Sequence, residues 1–132
     1  MSNAGATASG TADLFVGLMS GTSLDGADAV LADFSCGAIS VLGHASAPFP
    51  AGLRAELLAL NTPRGIDELH RAALAANALA RLYAQVTADL LKGSGVPAGS
   101  VRAIGAHGQT VRHRPLEFDG VGYTLQLNNP AL

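Results

Sequence analysis

The sequence predicts an α/β fold, a mixed sheet that begins with an antiparallel three-strand meander and is completed through helices. Three observations carry that prediction. Two short apolar runs, Leu14–Met19 and Ala27–Leu31, flank a turn of Ser, Gly, Thr and Asp residues, the pattern of strands joined by a tight connection. Residues 67–92 are dominated by Ala, Leu, Arg, Gln and Glu, all strong helix formers. A further strand-like run, Val101–Ala106, follows that helix, and a strand reached through a helical crossover naturally lies parallel to its neighbour. The chain has 132 residues, 48% apolar and 14% charged, with a net charge of −2. That composition suits one globular domain with a modest core and offers no electrostatic footprint for nucleic acid.

Taken in order, residues 1–12 are small and polar and read as a disordered tail with no assigned function. Residues 13–19 form the first strand, 27–34 the second and 39–47 the third, with a turn at Cys36-Gly37. Pro48 and Pro50 mark a boundary, and Leu53, Leu57 and Leu60 then recur at helical spacing over residues 51–60. Residues 61–65 link to the long helix, 67–92, which at ~1.5 Å per residue spans roughly 35–40 Å. Leu69, Ala73, Ala76, Ala80, Tyr83, Val86 and Leu90 trace its apolar face. Asp67 and Glu68 suit its N-terminal dipole and Lys92 its C-terminal one, while Gly93, Gly95 and Pro97 end it. The fourth strand, 101–106, runs into His107-Gly108-Gln109-Thr110; Arg112–Pro115 read as a loop, and 116–127 as a hairpin or loop-to-strand return. Pro130 suits the first turn of a helix.

His44, His70 and Arg71 read as solvated side chains. His107 and His113 lack the spacing of a zinc pair. Arg112 and Arg114 have the chemistry to meet a carboxylate or phosphate. Cys36 has no partner for an internal disulfide and reads as a small, partly buried residue in a reducing compartment. No run of 18 apolar residues and no basic-then-apolar leader is visible, so neither a membrane partner nor export is expected and the expected location is cytoplasmic.

The turn at residues 20–26 is the first candidate site. Gly21 and Gly26 permit unusual backbone angles or close ligand approach. Thr22 and Ser23 supply hydroxyls, and the neighbouring amides can form an anion-binding concavity. Asp25 and Asp28 have the hard oxygen ligands that nucleotide-bound Mg2+ requires. A Walker A loop is excluded because the only Lys is Lys92, and G-x-G-x-x-G is absent. A nucleophile elbow fails at Asp25, where its second Gly belongs. The same residue types also compose an ordinary hairpin turn, and the residues alone leave both readings open. For His107, Gln109 and Thr110, ligands in α/β sheets bind beyond carboxyl ends of strands, yet the residues alone favour a strand-terminal turn with a satisfied histidine.

Residues 17–30, Gly-Leu-Met-Ser-Gly-Thr-Ser-Leu-Asp-Gly-Ala-Asp-Ala-Val, resemble the opening motif of the anhydro-N-acetylmuramic acid kinases, of the sugar kinase/Hsp70/actin superfamily. Ile104–Pro115 and Thr124–Leu132 resemble two further motifs of that family, in its order and approximate spacing. The resemblance covers residues 13–132 and about the first third of a family member. It implies the N-terminal lobe of a two-lobed kinase with an RNase H-like core. It also implies an activity: ATP-dependent opening of the 1,6-anhydro ring of anhydro-N-acetylmuramic acid by water, with phosphorylation of O6. The product is N-acetylmuramic acid 6-phosphate, in peptidoglycan recycling.

By that resemblance Gly21, Thr22, Ser23, Leu24, Asp25, Gly26, Ala27 and Asp28 bind ATP phosphates, with Asp25 or Asp28 near Mg2+. His107, Gln109 and Thr110 line the substrate cleft. The family's catalytic aspartate belongs to a motif beyond Leu132, so the chain alone is expected to be inactive or very weak. A truncated sheet is expected to leave an unpaired edge and to self-associate. Asn128 stands where the family pattern has Gly. Two other readings stand beside the kinase: a non-catalytic phosphate- or nucleotide-binding half-lobe, and a structural α/β domain.

Overall fold

A computed structural model describes residues 12–132, so the tail expected over residues 1–12 lies outside the described residues except for Ala12. Four strands form the main sheet in the order β3-β2-β1-β4. β1 (Leu14–Ser20), β2 (Gly26–Asp33) and β3 (Ser40–Pro48) are the expected antiparallel meander. α1 (Ala51–Leu60) and α2 (Glu68–Ser94) then carry the chain across to β4 (Val101–Ala106), which pairs parallel with β1. Period-2 alternation buries one face: Leu14, Val16 and Leu18 of β1 and Ala27, Ala29 and Leu31 of β2. Those side chains pack against Leu53, Leu57 and Leu60 of α1 and Leu79, Tyr83, Val86 and Leu90 of α2. Gly95 (φ +66°) closes α2, with the Val96 amide on the Leu91 carbonyl at 3.1 Å. None of the described helices is long and apolar enough to cross a membrane.

Several expectations are corrected. Residues 109–115 are not a turn and loop but a strand, β5 (Gln109–Pro115), paired antiparallel with β6 (Gly122–Leu127) in a separate two-stranded sheet. Gly108 makes this possible: its φ of +77° turns the chain sharply, and a Cβ there would lie 2.6 Å from the Leu127 carbonyl oxygen. Residues 130–131 form a turn. Cys36 is exposed.

The buried face of α2 is also different. Leu69 is 89% exposed and Ala73 is exposed, while Leu79 and Leu82 are buried. Burial begins at Ala75, and polar contacts hold the preceding turns in place. Asp67 stands at the N-terminus with φ 49° and makes no side-chain cap. Glu68 instead accepts the Gly65 and Arg64 amides at 2.6 and 3.0 Å. Arg71 is not free in solvent but bonds Glu56 at 2.6 Å.

Arg112, on β5, ties this corner together. It donates to the Leu60 carbonyl at 2.9 Å, the Thr62 carbonyl at 3.2 Å and the Glu68 carboxylate at 3.0 Å. Its guanidinium satisfies the last carbonyl of α1 and one carbonyl of the linker that follows, while pairing with Glu68 at the N-terminus of α2. The Gly65 amide above all, and then the charge of Arg112, hold the Glu68 carboxyl below the usual carboxylate range. A depressed carboxylate stabilises the fold above its ordinary pKa, about 4.3, and loses that contribution as pH falls through its folded value. Urea unfolding of Glu68→Gln should therefore show a deficit against the parent that is largest near neutrality and shrinks on acidification. A deficit independent of pH would contradict the assignment.

Candidate functional site

Parallel pairing of β1 and β4 sets their carboxyl ends side by side. The connection after β1 is residues 21–25, and that after β4 is His107-Gly108. The His107 amide extends the ladder, bonding the Leu18 carbonyl at 3.0 Å. Residues 20–28 and 107–110, separate in sequence, thus form one surface.

Within the β1–β2 turn the residues divide by direction. The Leu24 amide closes the turn on the Gly21 carbonyl at 3.2 Å. Leu24 itself has φ 57°, so the left-handed residue of the turn is not a glycine. That conformation is costly for a residue with a Cβ. It is held by burial of the Leu24 side chain and by Arg54, whose Nε donates to the Leu24 carbonyl at 3.0 Å. Ala27 points into the core. Thr22, Ser23 and Asp25 are exposed at the apex. Among the described residues, the Thr22 and Ser23 amides have no backbone acceptor. The apex therefore presents two hydroxyls and two amides to an anion, with a carboxylate alongside.

The two glycines do different work. A Cβ on Gly26 would lie 2.2 Å from the Ala47 carbonyl oxygen and 2.9 Å from Pro48 Cα, so Gly26 is required by close packing of β2 on β3. A Cβ on Gly21 would meet only Ser23, at 3.4 Å or beyond. The two acidic candidates are likewise separated in role. Asp25 is exposed and its carbonyl accepts the Phe49 amide at 3.1 Å. Asp28 sits on the open face of the sheet, 3.3 Å from His44 Nε2. His44 is thus the partner of Asp28, and with both side chains more than half exposed the pair contributes little to stability.

The second turn is bound to the first by buried polar contacts. Ser20 Oγ donates to the Gly108 carbonyl at 3.3 Å and lies 2.9 Å from the Tyr83 hydroxyl. Because the serine proton is spent on Gly108, Tyr83 is the donor to Ser20. Burial pushes the Tyr83 hydroxyl pKa up. Gln109 is fully buried, and its Nε2 donates to the Gly21 carbonyl and the Thr110 carbonyl, both at 3.3 Å. His107 is exposed; Nδ1 lies 3.0 Å from the Gly108 carbonyl and Nε2 2.9 Å from Gln126 Nε2. One neutral tautomer satisfies both contacts, with Nδ1–H donating and Nε2 accepting. Thr110 pairs across the hairpin with Gln126, and His113 Nδ1 lies 2.8 Å from Thr124 Oγ1. His107, Thr110 and Gln126 thus contribute polar groups near the second turn. The closing segment is anchored as well, Asn129 Nδ2 donating to Asn77 Oδ1 at 2.7 Å.

Ser20, Tyr83, Thr124 and Gln126 were not singled out from sequence. Tyr83 reads as one more apolar position on α2, and its hydroxyl partner is 63 residues away. Thr124 and Gln126 did carry a signal, the polar alternation of Tyr-Thr-Leu-Gln-Leu.

A family model described as anhydro-N-acetylmuramic acid kinase matches residues 13–132. Curated relatives that carry that name match over nearly the whole chain, among them the following three. The one from Variovorax paradoxus is 72% identical over 120 residues, covering 91% of this chain and 32% of its own length. That from Albidiferax ferrireducens is 64% identical over 91% of this chain and 31% of its own length. That from Cupriavidus metallidurans is 57% identical over 92% and 32%. The chain therefore spans about a third of the length of these relatives.

The turn glycines separate by experiment. Gly26→Ala should cost about 1–3 kcal/mol in urea unfolding, the penalty of forcing a methyl group into packed backbone. Gly21→Ala should leave stability level or raise it by up to about 1 kcal/mol, the effect of a Gly-to-Ala change where the added carbon has room. Equal costs at both positions would refute this division.

Proposed function

The chain belongs to the anhydro-N-acetylmuramic acid kinase family, and on that premise we propose that it is the phosphate-gripping part of an ATP-dependent sugar kinase. Its substrates would be ATP and 1,6-anhydro-N-acetylmuramic acid. The reaction would be hydrolytic opening of the anhydro ring with phosphorylation of O6, giving N-acetylmuramic acid 6-phosphate. The fold would be the RNase H-like N-terminal lobe of that enzyme, working in the cytoplasm where ATP and recycled wall sugars meet. The observation that carries this reading is the adjacency of the exposed Thr22-Ser23 apex and the His107–Thr110 segment at neighbouring strand ends.

The chemistry follows from the groups on that surface. The Thr22 and Ser23 amides and hydroxyls would donate to phosphate oxygens. At about 1.5–3 kcal/mol for each hydrogen bond to a charged group, several such bonds hold a phosphate without a lysine. Thr110 would present its hydroxyl to the sugar, with the exposed His107 ring, held by Gly108 and Gln126, beside it. Among the described residues no three His, Cys, Asp or Glu side chains converge. Mg2+ would therefore be held by nucleotide phosphates and water, with Asp25 as the available carboxylate at the apex; Asp28 is turned towards His44. Bound there, Mg2+ would neutralise charge on the transferring phosphoryl group. No carboxylate of this chain is assigned as the base that activates water.

Joining the chain in frame to the remainder of the Variovorax paradoxus relative tests the reading. The chimera should form N-acetylmuramic acid 6-phosphate from the anhydro sugar only when ATP is present. Thr22→Ala should lower turnover by on the order of 10²-fold, as loss of a transition-state donor does. The isolated chain should give no turnover. A folded chimera without activity would refute the proposal.

A further inference from the structure

Gln109 belongs to the segment assigned above to the sugar, but its side chain is 0% exposed. Its amide nitrogen is committed to two backbone carbonyls, those of Gly21 and Thr110. Its amide oxygen, Oε1, is buried with no partner among the described residues. A buried acceptor left unpaired costs about 1–3 kcal/mol, so an apolar side chain of the same size would serve packing better. What the glutamine alone provides is the donor to Gly21, the first residue of the phosphate turn. Ser20, one residue earlier, is held by the Tyr83 hydroxyl and bonds the Gly108 carbonyl, one residue before Gln109. Two polar ties therefore run between the same two turns, and both are inaccessible to solvent.

We propose that Gln109 is a positioning residue rather than a sugar ligand, and that with the Ser20–Tyr83 pair it locks the turn at 21–25 and the turn at 107–108 into one rigid body. On the kinase reading, on which this proposal rests only for what the body holds, the lock sets the distance between the phosphoryl group and its acceptor. Near-attack geometry is sensitive at that level, so ordering both turns before ligand arrives saves the entropy of ordering them afterwards.

The test uses the 132-residue chain and two variants. Gln109→Met removes the tie and the orphan oxygen together. Global stability by urea unfolding should stay level or rise, while hydrogen exchange at the Leu24 amide, which closes the turn on Gly21, should accelerate at least several-fold. A purely structural glutamine would lose stability and protection together, and unchanged Leu24 exchange would overturn the lock. Should Gln109→Met fail to fold, Tyr83→Phe decides, since it removes one oxygen. Faster exchange at both 21–24 and 107–109 supports the lock, and change confined to α2 overturns it. In the active chimera a sugar ligand would raise KM for the sugar on substitution, whereas a positioning residue lowers kcat and leaves that KM in place. The exchange measurement needs no ligand or turnover, so its failure and the failure of the kinase reading are independent results.

Discussion

Parallel pairing of β1 with β4 is the constraint on which the rest of this molecule depends. The strands are separated in sequence by two hairpin turns and two helices, yet their registers meet from Phe15 opposite Ala103 to Leu18 opposite Ala106. A parallel neighbour cannot be reached by a tight turn, so the chain needs a long return. α2, with 27 residues at ~1.5 Å each, spans about 40 Å and more than supplies it. Both strands then end on the same side of the sheet. The turn after β1 and the turn after β4 therefore lie side by side.

That arrangement is secured by polar groups in an otherwise apolar core. Ser20, Thr87 and Gln109 are the buried polar side chains among the described residues. Thr87 bonds the Tyr83 carbonyl at 2.8 Å, one helical turn back, which satisfies its hydroxyl where Tyr83 reaches Ser20. Each such bond contributes only about 1 kcal/mol net, but an unmade one costs more. The network therefore acts chiefly by specificity: few arrangements of the two turns satisfy Tyr83, Ser20 and Gly108 together. Exposed contacts such as His44 with Asp28 exert no comparable constraint.

Much of the fold was legible in the residues because its elements obey simple periods. The meander, α1 and β4 are where alternation, leucine spacing and turn chemistry place them, with ends differing by a residue or so. β5 was not legible, because Thr110 and Arg112–Arg114 make it polar along both faces and only Val111 marks burial. The face of α2 drifted because Leu69 and Ala73 continue an apolar stripe beyond the sheet that would cover it. At the site, the turn was legible as chemistry but not as geometry. Composition cannot reveal that Leu24 takes the left-handed conformation, that Gly26 answers to Ala47, or that Gln109 faces inward. Each depends on a neighbour supplied by another element.

Amide chemical-shift mapping decides whether the turns after β1 and β4 form one anion-gripping surface. The isotopically labelled chain would be titrated with a non-hydrolysable ATP analogue and Mg2+. A single surface should give shifts centred on residues 21–26 that extend, at the same ligand concentrations, to residues 107–110. Shifts confined to the β5–β6 tip, or confined to one turn while the other stays silent at saturation, would contradict it.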